Sequence, residues 1–119
     1  MITKHILNHL FYNVKESDLY KAYKLVFNTF SSEPRLKILN LLRKKPMNVS
    51  EIIKATGLEQ SIVSHNLRRL RDCGFIKLEI RGKYRYYKLN ERTLTPILSL
   101  IDEHMKEYCL LIIKKHKRR

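Results

Sequence analysis

From the N-terminus to residue 73 apolar residues recur at spacings of three and four. Over residues 75–89 they alternate with polar ones, and beyond residue 93 they return to helical spacing. A period that changes from about 3.6 to 2 and back predicts helices, then a strand pair, then a closing helix. Ile2, Ile6, Leu10 and Phe11 open the pattern and predict a short helix or docked arm over residues 1–13. Ser17 is the expected cap of a first full helix with the stripe Leu19, Tyr23, Val26 or Phe27, and Phe30. That stripe suits either a core or a dimer surface. Ser31-Ser32-Glu33-Pro34 interrupts it, with a serine to cap and a proline for the first turn of a second helix. Leu36, Ile38, Leu39, Leu41 and Leu42 continue that helix to Arg43-Lys44-Lys45-Pro46, where cations suit a helix C-terminus and proline forbids continuation.

Residues 48–74, NVSEIIKATGLEQSIVSHNLRRLRDCG, are the centre of the pattern. Asn48 and Glu51 form a capping-box signal for a third helix with Val49, Ile52, Ile53 and Ala55 on its buried side. Gly57 ends that helix, Leu58 plugs the turn, and a fourth helix runs from about Gln60 to Cys73. On its helical wheel Val63, Leu67 and Leu70 cluster. Opposite them lie Ser61, His65, Arg68 and Asp72, flanked by Gln60, Ser64, Arg69 and Arg71. An ordinary surface helix alternates Glu with Lys in stabilising pairs. Here the early turns carry short or planar side chains, which can exchange hydrogen bonds with base edges.

Phe75–Ile80 and Tyr84–Leu89 read as two strands joined by Arg81-Gly82-Lys83, a hairpin with a basic tip. Beside a helix-turn-helix such a hairpin is a wing, whose Arg81, Lys83 and Arg85 can reach phosphates or a minor groove. The bland alternative is a plain hairpin with edge cations that prevent aggregation. The last helix is expected to be capped by Thr93 or Thr95, with Pro96 in its first turn. Leu94, Leu98, Ile101, Met105, Tyr108 and Ile112 give it an a/d seam. A seam this long calls for a partner helix, most simply from a second copy of the chain.

The expected architecture is therefore α+β: mostly α with a β-hairpin wing, a winged helix-turn-helix with long N- and C-terminal dimerisation helices. It forms a single domain over 1–119, with N-terminal helices at 1–30, a helix-turn-helix core at 34–74, the wing at 75–90 and the dimerisation helix with its basic tail at 93–119. Composition sharpens this. Twenty-five Lys and Arg against 11 Asp and Glu give a net charge of +14, which attracts a polyanion. No apolar run is long enough for a bilayer and the N-terminus lacks a signal-peptide pattern, so a cytoplasmic protein without a membrane partner is expected. Two cysteines, Cys73 and Cys109, make neither a disulfide framework nor a zinc ribbon. No catalytic triad, phosphate loop or carboxylate pair can be assembled, so an enzyme is not expected. Three functions fit: a sequence-specific regulator of double-stranded DNA, a low-specificity protein that coats DNA, and a winged-helix protein-interaction module.

PRLKILNLL, the stretch from Asn48 to Ile76 and RGKYRYYKL together resemble the ArsR/SmtB family of prokaryotic winged-helix transcriptional repressors. VSHNLRRLRDCGFI carries most of the likeness, through Ser64-His65, Leu67, Leu70 and Gly74. The resemblance implies a homodimer held by the first and last helices, with Leu19, Tyr23 and Phe27 joining the C-terminal seam. It implies two recognition helices, 60–73, in successive major grooves. Gln60, Ser61, Ser64, His65 and Arg68 would face bases, with Arg69 beside them, and Arg81, Lys83 and Arg85 would serve the wing. The family's thiolate sensors keep a Cys-x-Cys where this chain has Asn48 and Ser50, neither able to replace a soft ligand. The family's other metal site needs Asp-x-His, a His eleven residues after the first, and a Glu. Asp102 and His104 match its first half, but Lys115 holds the second His position and His116 is rotated away by about 100°. Asp102 is expected to pair with Lys106 at i+4. No cofactor is implied. Zinc or a similar divalent metal would have only Asp102, His104 and His116, or a rearrangement using His5 or His9. The small-molecule or metal effector is left unidentified.

Overall fold

A computed structural model describes residues 14–117 of the chain. The expected helix over residues 1–13, the His5/His9 pair and the last two arginines lie outside the described residues. The order of elements is α1 (Glu16–Phe30), α2 (Glu33–Leu42), α3 (Val49–Thr56), α4 (Gln60–Asp72), β1 (Ile76–Arg81), β2 (Tyr84–Leu89), α5 (Glu91–His104), a π-helical turn (Met105–Cys109) and α6 (Leu110–Lys117). The predicted fold class holds: a mostly helical chain with one antiparallel hairpin.

Local chemistry explains most boundaries. The Ser32 hydroxyl accepts from the Arg35 amide at 3.4 Å, and Pro34 sits in the first turn of α2. At α3 the capping box is complete. Glu51 N–H donates to Asn48 Oδ1 at 2.9 Å and Asn48 N–H to Glu51 Oε1 at 3.1 Å. Gly57 closes α3 at φ 73°, left-handed backbone that a side chain disfavours. Asn48→Ala is expected to lower stability by about 1 kcal/mol, read as a shifted urea midpoint with an unchanged slope. A shift under a third of that would mean that the box is redundant.

Two caps fall elsewhere. Ser17 does not cap α1: the helix starts at Glu16 after Lys15, without a side-chain cap bond, and Glu16 and Asp18 face the positive helix end instead. Neither Thr93 nor Thr95 caps α5, which starts at Glu91 and encloses Pro96. Asn90 decides this start. Its N–H donates to the Phe75 carbonyl and its side-chain amide to that of Gly74, both at 2.9 Å, so the chain leaves β2 against the end of α4 and turns straight into a helix.

The core gathers Ile38, Leu39 and Leu42 of α2, Ile52 of α3, Val63, Leu67 and Leu70 of α4, Phe75, Ile76 and Leu89 at the hairpin base, and Leu94 and Leu98 of α5. Full burial of each such side chain stabilises by roughly 1.5–3 kcal/mol. Leu94 and Leu98, at 3% and 5% exposure, are thus covered by the protomer itself, a correction to the expected dimer seam. An a/d stripe has the same spacing whichever helix covers it, so spacing alone could not divide core from seam. The hairpin pairs Ile76 with Leu89 through to Arg81 with Tyr84. Met47 adds a one-residue bridge to Tyr87, through mutual backbone bonds of 3.0 and 2.8 Å. That bridge ties the hairpin to the linker before α3. Beyond α5, the Leu110 amide donates to the Met105 carbonyl, five residues back, in one wide turn before α6.

Candidate nucleic-acid interface

Gln60, Ser61, Ser64, His65 and Arg68 share an exposed side of α4, as the wheel requires once Val63, Asn66, Leu67 and Leu70 are buried. Arg69 departs from them. It is rotated by about 100° from Arg68 toward Ile62 and Asn66. It is half-buried, and its Nε has no hydrogen-bond partner among the described residues. Ser64 and Arg68 instead join Arg71, Asp72, Val49 and Tyr87 around a cleft of about 530 Å³ where α4, the start of α3 and β2 converge. Arg71 was legible as a flanking cation. Its place in this cleft follows from the i, i+4, i+7 run of Ser64, Arg68 and Arg71.

The wing cations do not form one patch. Strand register puts Glu79, Arg81, Tyr84 and Tyr86 on one face and Ile80 and Arg85 on the other. Arg81 bonds Glu79 at 2.9 Å and lies 4.8 Å from the Tyr86 ring centre, while Lys83 lies 5.6 Å from that of Tyr84. These contacts orient long side chains that would otherwise be loose. Among the described residues, Arg68, Arg71, Lys83 and Arg85 have no ion-pair partner.

A polar network sets the position of α4. Arg35 Nε donates to the Thr29 carbonyl at 2.8 Å, Nη2 to the Asn28 carbonyl at 3.0 Å and Nη1 to Asn66 Oδ1 at 3.1 Å. Asn66 in turn donates to the Ile62 carbonyl at 2.8 Å. Thr29, fully buried, donates its hydroxyl to the Leu25 carbonyl at 2.7 Å, and Cys73 Sγ lies 3.3 Å from that hydroxyl oxygen. The end of α1 is thereby fastened through α2 to the middle and end of α4. Neither Arg35 nor Asn66 stood out as functional in the sequence. The available signal was a lone Asn within the apolar stripe of α4, since a buried amide needs partners.

The metal candidates are separated. Asp102 pairs with Arg43 at 2.6 Å and not with Lys106, a correction that helical spacing could not foresee across 59 residues. The exposed His104 ring lies 4.8 Å from that of Tyr108, tilted by 42°, and His116 is exposed on α6. Among the described residues no three His, Cys, Asp or Glu side chains group to hold a metal. Asn48 is engaged in its cap, and Cys73 and Cys109 are both free thiols. On α1, Leu19 is buried, whereas Tyr23 is 40% and Phe27 65% exposed. Ile101, Met105, Tyr108 and Ile112 are also exposed.

The family model of bacterial regulatory proteins of the arsR family matches residues 32–77. The transcriptional repressor PagR of Bacillus anthracis is 35% identical over 78 residues, 65% of this chain and 78% of that protein. The chain belongs to the ArsR family. The matched segment of this ArsR-family chain starts at the cap of α2, includes Arg35, the capping box and all of α4, and ends inside β1. NmtR of Mycobacterium tuberculosis, an HTH-type transcriptional regulator, is 41% identical over 69 residues, 58% of this chain but only 55% of NmtR. Among solved structures, the homodimeric winged helix-turn-helix DNA-binding domain of Mb0332 from Mycobacterium bovis superposes with a TM-score of 0.73. That likeness covers 79% of this chain and 87% of that one, and at 24% identity it is a likeness of fold. No helix among the described residues is long and apolar enough to cross a membrane.

Proposed function

We propose that this ArsR-family protein is a homodimeric, cytoplasmic transcriptional repressor, without enzymatic activity, that reads double-stranded DNA through α4. The observation that carries this is the exposed side of α4. Gln60, Ser61, Ser64, His65 and Arg68 stand together there, with Asp72 as the one carboxylate, set on the helix's last turn. Side chains of this kind pair with base edges in a major groove, whereas Glu-rich helix faces are repelled by phosphate. Arg71, beside Arg68 in the cleft next to β2, suits a phosphate at the groove's edge. Lys83 at the hairpin tip suits backbone or minor groove. The net charge of +14 supplies affinity that falls steeply with salt. The exposed aromatics of α1 and the apolar residues from Ile101 onward suit a second copy, which would set two α4 helices about 34 Å apart.

That charge equally favours a second reading, in which the dimer coats DNA with little preference. Selection of bound duplexes from a random pool separates the two. Recovery of a near-palindrome supports the regulator, and an unenriched pool supports coating. On the selected duplex His65→Ala is expected to weaken binding by roughly 5- to 100-fold while leaving a scrambled duplex unaffected. Lys83→Ala should weaken both alike and reduce the salt slope by about one. Equal losses on both duplexes for His65→Ala would remove α4 as the reading element.

A further inference from the structure

We infer that the cleft between α2 and the end of α3 binds a small organic anion, a phosphate or carboxylate on a short apolar body, and that Arg43 links its occupancy to α5. The cleft measures about 550 Å³ and opens to solvent. That volume is typical of small-molecule sites. Lys37, Arg43 and Lys44 line it, and among the described residues no carboxylate does. Asn40 adds an amide, and Leu41 with Ala55 forms an apolar floor. None of the lining residues belongs to α4 or the hairpin, so the cleft is separate from the surface proposed to read DNA.

Two helix C-termini border this cleft, and their partial negative charge opposes an anion. Some of the carbonyls near those ends are already engaged, however. Leu39 and Leu41 accept from the Arg43 and Lys44 amides, Ile53 from that of Gly57, and Ile52 from the Thr56 hydroxyl. The helix end accounts for cations at positions 43 and 44 but not for Lys37, which lies mid-helix. Lys37 pairs with Glu33 at 3.5 Å with both side chains at least half exposed, a contact that holds a lysine weakly. Lys44 has no ion-pair partner among the described residues.

Arg43 stands at the boundary. Its Nη2 donates to Asp102 Oδ2 at 2.6 Å, and its Nη1 faces Asn40 Oδ1 at 3.5 Å. An anion in the cleft competes with Asp102 for the same guanidinium, whose planar fork suits phosphate and carboxylate alike. Asp102 lies three residues before the π-helical turn, so occupancy would loosen the tie between α2 and the C-terminal helix.

The test is an NMR titration of the full ¹⁵N-labelled chain with phenyl phosphate at fixed ionic strength, without DNA. Saturable shifts are expected at the amides of Lys37, Lys44, Thr56 and Asp102, with α4 and the hairpin little changed. Lys37→Glu with Lys44→Glu, both at exposed positions, should weaken binding about tenfold or more. Asp102→Asn, which releases Arg43, should tighten it. Shifts that do not saturate, or that survive the double variant, would overturn the site. Unchanged affinity in Asp102→Asn would overturn the link to α5. A scrambled duplex that moves the same amides where phenyl phosphate does not would assign the cleft to DNA backbone and overturn the small-anion reading.

Discussion

Arg35→Met is expected to lower folding stability by about 3 kcal/mol, since charge-assisted hydrogen bonds each contribute about 1.5–3 kcal/mol and the Thr29 and Asn66 acceptors, sheltered from solvent, are stranded. The substitution keeps the apolar stem. It removes the donors that reach the Thr29 and Asn28 carbonyls and Asn66 Oδ1. Asn66 is only 6% exposed, so its orphaned oxygen finds little water. Arg35→Lys should recover part of the loss, because an ammonium can meet one or two of these acceptors but not all three. Urea unfolding of the three proteins measures this. A loss below about 1 kcal/mol for Arg35→Met would show that α1 does not depend on this fastening.

The second large effect lies on the opposite side of α1. Phe27→Glu, at a side chain 65% exposed, should leave the protomer folded, with an unchanged far-UV circular dichroism spectrum, while the urea midpoint falls because dimerisation no longer adds to stability. In a dimer that closes over this face, the same carboxylate would be buried without a partner. Sedimentation velocity is expected to show a monomer where the parent protein is dimeric. Affinity for a duplex with two half-sites should then fall by roughly 10²- to 10⁴-fold, the advantage that linking two binding modules confers. Affinity for a single half-site should hardly change. A Phe27→Glu protein that stays dimeric would move the interface away from α1.

These two residues also show what was legible in the sequence. Phe27 belongs to a periodic stripe, and periodicity is a local property that any reader of the chain can recover. The caps at Ser32, Asn48 and Gly57 were equally readable, because each is decided by residues within four positions. The polar side of α4 was readable for the same reason. Arg35, Asn66, Arg43 and Asp102 were not, because their partners lie 31 or 59 positions away and no spacing rule joins them. Leu94 and Leu98 failed differently: their pattern was seen, but the surface that covers them depends on how α5 docks. Arg69 shows the limit of a wheel drawn on α4 alone, since its half-burial depends on what packs beside that helix. The start of α5 was set by Asn90 gripping the end of α4, a tertiary contact that outweighed the local preference of Thr93 and Thr95 for a cap.

The wide turn at Met105–Cys109 bears on how two C-terminal helices can meet. It carries about one residue more than an α-helical turn, so no single stripe runs in phase from Leu94 to Ile112. A helix without such a break could slip along its partner by one heptad and find an equivalent set of knobs. Here a slipped pairing would bring the break in one copy against unbroken helix in the other, and the stripes on one side of it would no longer meet. In a dimer joined through these helices the turn would act as an alignment mark along the helix. It would favour one relative position of the two chains and so fix the distance between whatever surfaces those chains carry.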